Sequence, residues 1–135
     1  MIKGIGVDIV EIERIQKAIE ARKERFLDRI FTPDERNYCD SKPRPWRHFA
    51  ARFAAKEAVS KALGSGKRGM HWTDIEVCRD SQGRPYIKLT GGAALRAQEK
   101  GVCDVAISLS FNRDSAIASA VALGSGVELE LPKLV

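Results

Sequence analysis

The chain has 135 residues, 44% of them hydrophobic and 30% charged, which suits one domain with a single core and excludes a wholly disordered or fibrous chain. Its net charge of +5 points to an anionic partner, whether nucleic acid, a phosphorylated small molecule or an acidic protein. The opening residues lack the apolar core and small-residue cleavage site expected of a secretory leader and no stretch is apolar enough to be expected to span a membrane, while Cys39, Cys78 and Cys103, odd in number and in no CxxC pair, argue against a disulfide frame or zinc site and suit a reducing cytoplasm.

Residues 2–10 alternate as a strand, with Ile5, Val7 and Ile9 on one face and Gly4, Gly6, Asp8 and Val10 on the other. A glycine inside a strand marks the close approach of a ligand or another backbone, so the Asp8 face is expected to be kept open. From residue 13 to 29 the period becomes helical. Ile12, Ile15, Ile19 and Phe26 form a stripe opposite Arg14, Lys17, Arg22, Arg25 and Arg29, a basic amphipathic helix. Thr32-Pro33-Asp34-Glu35 carries a helix start, with Thr32 as N-cap, Pro33 at the first position and Glu35 closing a capping box. After a loop at 41–45, residues 46–63 form a second long helix whose alanines and Phe53, Val59 and Leu63 surround the axis, as in a largely buried helix, ending at Gly64-Ser65-Gly66.

Residues 72–78 and 85–90 flank the turn Asp80-Ser81-Gln82-Gly83 as a hairpin, 92–100 form a short helix, and 104–110 with 115–123 form a last hairpin around Asn112-Arg113-Asp114. The expected fold is α+β, a mostly antiparallel sheet packed with the long Ala-rich helix. One domain covers 1–123, followed by a tail, 124–135.

Among residues able to carry chemistry, Glu57 sits mid-helix on the Ala-rich element. A lone buried carboxylate is costly, and Lys61, one turn on, would make an ordinary helix pair with it, worth about 0.3–0.5 kcal/mol. Asp8, beside its glycines, could simply accept backbone hydrogen bonds. The two together would suit magnesium, which takes one or two carboxylates plus phosphate oxygens and water, if they meet in space, which spacing alone does not show. Gly64-Ser65-Gly66-Lys67-Arg68 reads either as a helix cap with a basic loop or as a phosphate cradle, and it lacks Walker spacing. Arg52 and Lys56 can snorkel from a buried helix. His48 and His71 form no catalytic pattern and read as structural.

Three segments together resemble the holo-acyl-carrier-protein synthases: Gly4-Ile5-Gly6-Val7-Asp8-Ile9-Val10-Glu11-Ile12, then Arg52-Phe53-Ala54-Ala55-Lys56-Glu57-Ala58 with Ser60-Lys61-Ala62 and Gly64, and finally Gly83-Arg84-Pro85-Tyr86. The resemblance implies a 4′-phosphopantetheinyl transferase fold assembled as a homotrimer with active sites between subunits. It implies transfer of phosphopantetheine from coenzyme A to a serine of acidic acyl carrier protein, releasing adenosine 3′,5′-bisphosphate, in support of fatty acid biosynthesis. By residue, it implies Asp8 and Glu57 as ligands of Mg²⁺ (or Mn²⁺), with Lys61 joining them in catalysis. Coenzyme A contacts fall on Arg52, Lys61, Gly64, Ser65, Gly66 and Pro85, and the carrier-docking surface on Arg14, Arg25 and Phe26. Neither nucleic acid nor membrane is an implied partner. One departure stands out: where the family's strand runs into a histidine, this chain reads Ser108-Leu109-Ser110-Phe111. Phe111 keeps open a carrier-binding relative with weakened catalysis, and the arginine-rich helix keeps open a nucleic-acid-binding module, although no RNP-type aromatic pair or GXXG loop accompanies it.

Overall fold

A computed structural model describes residues 1–64 and 66–125 of the chain. Strand β1 (Ile2–Glu11) leads into helices α1 (Ile12–Arg22), α2 (Glu24–Ile30), α3 (Pro33–Asp40) and α4 (Pro45–Leu63). A 3₁₀ turn (Trp72–Asp74) precedes the hairpin β2 (Ile75–Arg79) and β3 (Pro85–Leu89), then α5 (Gly91–Glu99) and the hairpin β4 (Val102–Phe111) and β5 (Ser115–Gly124). Pairing is antiparallel throughout, in a three-stranded sheet ordered β1-β5-β4 and a two-stranded sheet β2-β3.

The sequence resolves into these elements for local reasons. Thr32 caps α3, accepting from the Glu35 amide while Glu35 accepts from the Thr32 amide, and Pro33 takes the first turn. The expected single helix over 13–29 is two helices, broken at Lys23, which has φ +47°. At roughly 100° per residue a continuous helix would turn Lys23 onto the stripe of Ile12, Ile15 and Ile19. The break keeps that ammonium exposed while Leu27 and Ile30 still reach the core. The strand expected from Trp72 begins only at Ile75, after the 3₁₀ turn.

Helix α4 lies across the main sheet and is buried on nearly every side. Its Ala54, Ala55, Ala58 and Ala62 meet Ala118, Ala120 and Ala122 of β5, so small side chains on both surfaces let helix and sheet approach closely. A second core gathers α1, α2 and the start of α4 around Phe31 and Phe49, whose rings lie 4.9 Å apart.

The faces of β1 fall the opposite way from a simple apolar-inward strand. Ile5, Val7 and Ile9 are 71%, 56% and 68% exposed, and the glycine face turns toward α4. A Cβ on Gly4 would lie 1.9 Å from the Ala62 carbonyl oxygen, and one on Gly6 would lie 2.0 Å from that of Ala58. The close approach foreseen at these glycines is therefore that of the α4 backbone.

Candidate active site

That approach places Asp8 on the β1–α4 seam. Lys61 of α4 donates to Asp8 Oδ1 at 3.3 Å and to the Val7 carbonyl at 3.0 Å. Glu57 lies one turn earlier on α4, but its partner is Lys67, whose Nζ donates to Glu57 Oε1 at 2.9 Å. The i,i+4 pair expected between Glu57 and Lys61 is replaced by two tertiary pairs, and through Lys61 the strand acid is tied to the helical turn that carries Glu57. Both carboxylates are largely withdrawn from solvent and each faces an ammonium, so each already sits where positive charge is favoured. Among the described residues no cluster of three or more His, Cys, Asp or Glu side chains could cage a metal. Two carboxylates fit magnesium, which keeps its waters and shares substrate oxygens, better than they fit a site built wholly of protein.

Beyond Glu57 the chain reverses. Gly64 ends α4 at φ +84°, and its amide donates to the carbonyls of Ser60 and Lys61. Gly66 and Gly69 also have positive φ, and a Cβ on Gly66 would meet open space. Ser65 lies outside the described residues. Arg96 of α5 holds the loop by donating to the Gly64 carbonyl at 2.6 Å and to that of Arg68. Pro85 opens β3 opposite Arg79, on the hairpin.

Arg52, expected at a coenzyme contact, is 1% exposed in the chain by itself, on a helix buried along most of its length. Its guanidinium lies 4.0 Å from the Tyr38 ring centroid, and its Nε is buried without a hydrogen-bond partner. Lys42 and Arg79 approach the same ring at 4.8 and 4.7 Å, while Arg47 stacks on Phe111 at 4.8 Å. His48 stands edge-on to Tyr38 and Phe111. Burial first, then the positive field of Arg52, Arg47, Lys42 and Arg79, pushes its pKa down to about 4. A 510 Å³ cavity beside it is lined by Arg44, Trp46, Arg47, Phe111, Asn112 and Arg113. Sequence reasoning singled out only Phe111 of this basic pocket; the run Lys42-Pro43-Arg44-Pro45-Trp46-Arg47 was its one visible signal.

A separate 790 Å³ groove is lined by Arg22, Arg25, Phe26 and Arg29 from the basic helices, with Phe53 and Trp72. Phe53 and Trp72 stack at 4.8 Å, and Lys67 Nζ lies 3.5 Å from the Trp72 ring centroid, so this wall of the groove adjoins the Glu57 pair. Arg25 and Phe26 both line this groove. Arg14 is exposed on α1, outside the lining.

The chain matches the model of the 4′-phosphopantetheinyl transferase superfamily over residues 4–118. The holo-[acyl-carrier-protein] synthase of Desulforudis audaxviator is 48% identical over 124 residues, covering 92% of this chain and 95% of that one. That of Caldanaerobacter subterraneus subsp. tengcongensis is 46% identical over 120 residues, covering 89% and 94%. The crystal structure of the Neisseria meningitidis synthase superposes with a TM-score of 0.84 at 35% identity, covering 91% of this chain and 99% of that one. That of the Helicobacter pylori synthase, in complex with coenzyme A, gives 0.78 at 32% identity, covering 88% and 99%. With the α+β fold, the β1–α4 acid pair and these likenesses together, the chain belongs to the 4′-phosphopantetheinyl transferase superfamily, among its holo-[acyl-carrier-protein] synthases.

Proposed function

We propose that this chain transfers 4′-phosphopantetheine from coenzyme A to a serine of apo acyl carrier protein, releasing adenosine 3′,5′-bisphosphate and supporting fatty acid biosynthesis in the cytoplasm. The observation that carries this reading is the acid pair Asp8 and Glu57 beside a basic, aromatic-walled groove. Asp8 and Glu57 would hold Mg²⁺, with Mn²⁺ as its substitute, and the ion would supply charge neutralisation at the pyrophosphate. Glu57 would accept the serine proton, directly or through a water it orients, and Lys61, half exposed, would stabilise a phosphate oxygen or protonate the leaving group. The glycine loop, with Gly64, Ser65 and Gly66, and the hairpin start at Pro85 are assigned to the coenzyme. The nucleotide phosphates would take the pocket of Arg44, Arg47 and Arg113, with buried Arg52 adding its field from beneath. Phe111 offers this pocket a ring face and no proton. Arg25 and Phe26 would dock the acidic carrier, with Arg14 extending the basic surface.

Residues 1–123 would act as one domain within a homotrimer whose active sites lie between subunits. The support is the outer face of the sheet, where Ile5, Val7, Ile9 and the cross-strand Ile117 stand exposed together, the kind of apolar face that marks an interaction surface. The decisive assay incubates the chain with apo carrier protein, coenzyme A and Mg²⁺ and weighs the carrier. One phosphopantetheine added to one serine, lost in Asp8→Asn and Glu57→Gln, is the expected result. Carrier binding without added mass would leave only the weakened relative.

A further inference from the structure

The Lys67 ammonium has three neighbours at once: Glu57 Oε1 at 2.9 Å, Ser60 Oγ at 3.3 Å and the face of Trp72 at 3.5 Å. Its three N–H groups therefore each have a partner. Lys67 and Glu57 side chains are only 22% and 27% exposed, so salt screens the pair less than a surface one. The chain is held in this arrangement from both sides. Gly64 and Gly66, at φ +84° and +58°, lie between Glu57 and Lys67 where the chain turns back, so that a residue ten positions after Glu57 returns to it. Arg96 grips the carbonyls on either side of Lys67, those of Gly64 and Arg68. At Gly69 the loop carbonyl packs so close to Gly92 that a Cβ there would lie 1.9 Å from it. The other acid is guarded more loosely, since Lys61 reaches Asp8 at 3.3 Å with its own side chain 52% exposed.

We infer that Lys67 is a built-in counter-ion of Glu57 that a divalent cation must displace to bind, so that this loop sets the metal affinity of the site. The inference rests on the assignment of Glu57 as a metal ligand. It needs no change of fold: with the carboxylate given up, the ammonium keeps the Trp72 face and the Ser60 hydroxyl. The loop thereby holds positive charge at Glu57 when no metal is present and releases the carboxylate on loading, while Asp8 stays easier to reach.

Titration of the whole chain with Mn²⁺, read by loss of the free-ion EPR signal, tests this without any measurement of turnover. Lys67→Met, which keeps a long side chain against Trp72, should tighten Mn²⁺ binding about three- to tenfold, the scale of a partly buried ion pair. Lys67→Gln should move it the same way, which covers the case of one variant failing to fold. Arg68→Met removes the same charge one residue along and should change the affinity less than about twofold, as expected of an exposed cation. Unchanged or weaker binding in both Lys67 variants, or equal tightening in Arg68→Met, overturns the inference. Glu57→Gln separates the two levels: weakened Mn²⁺ binding there keeps Glu57 as a ligand whatever Lys67 does, whereas wild-type binding removes the metal assignment and this inference with it.

Discussion

Lys56 and Glu35, twenty-one residues apart, form an ion pair at 2.7 Å with both side chains fully buried. Every strong hydrogen-bonding group of the pair is used. Lys56 Nζ also donates to the carbonyls of Trp72 and Ile75, and Glu35 accepts from the amides of Thr32 and Val77. One carboxylate thus caps α3, pairs with α4 and pins β2. Burial pushes the Lys56 pKa down, against the pull of Glu35. Removing one partner strands the other, so Lys56→Met or Glu35→Gln should each cost about 3–5 kcal/mol in urea unfolding, and the double variant Lys56→Met/Glu35→Gln less than their sum.

Gly6 sets the spacing between β1 and α4. Its alanine variant would drive a Cβ into the Ala58 carbonyl, so the helix has to move off the strand. We expect Gly6→Ala to lower stability by at least about 2 kcal/mol and to loosen the Asp8–Lys61 contact, read by thermal melting and by loss of transfer activity in the protein that remains folded.

His48 makes stability depend on pH on the acid side. Its folded pKa of about 4 lies below the ordinary 6.5, so between these values the unfolded chain binds a proton that the folded chain does not. Stability from this group is unaffected above pH 6.5, falls as the pH drops toward 4, and changes no further below. Allowing for solvent screening the loss is about 1–2 kcal/mol. Denaturant midpoints at pH 7 and pH 4 should draw closer together in His48→Gln.

At the groove, Arg25 lines the cavity and Arg14 does not. Arg25→Glu should therefore raise the KM for carrier protein about tenfold at low salt while moving that for coenzyme A little. Arg14→Glu should have a smaller effect of the same kind, and both should shrink in high salt. Equal rises for the two substrates would remove the docking role.

For the open sheet face, Val7→Glu keeps the side chain in solvent in the single chain, where Val7 is already exposed. Sedimentation should give the mass of one chain for this variant and three for the parent, with the circular dichroism spectrum retained. A parent that sediments as a single chain would overturn the trimer.

Much of the fold is written in signals a few residues long. The capping box at Thr32 and Glu35, the glycine after Leu63, the turn at Gly83 and the shift from period two to period 3.6 after β1 are local, and the elements follow from them within a few residues. The alanine content of α4 likewise declared a largely buried helix. Asp8 and Glu57 were legible as candidates, each with an alternative its neighbours in sequence could not remove.

What the local signals lack is any statement of which face is covered and by what. Alternation in β1 separates Ile5, Val7 and Ile9 from the glycines, but only the contact of Gly4 and Gly6 with α4 decides that these three face outward. Lys61 stands one helical turn from Glu57 and pairs instead with a strand fifty-three residues away, because the glycines bring that strand within reach. Lys67 reaches Glu57 only because the loop between them reverses, and Arg52 and Glu35 are buried only because remote elements close over them. The sequence by itself determined most of the elements and the family they resemble, but not the break at Lys23 or the turn before Ile75. The tertiary structure decided the partners of every charge at the site, since an ion pair depends on distance through space, which sequence spacing does not encode.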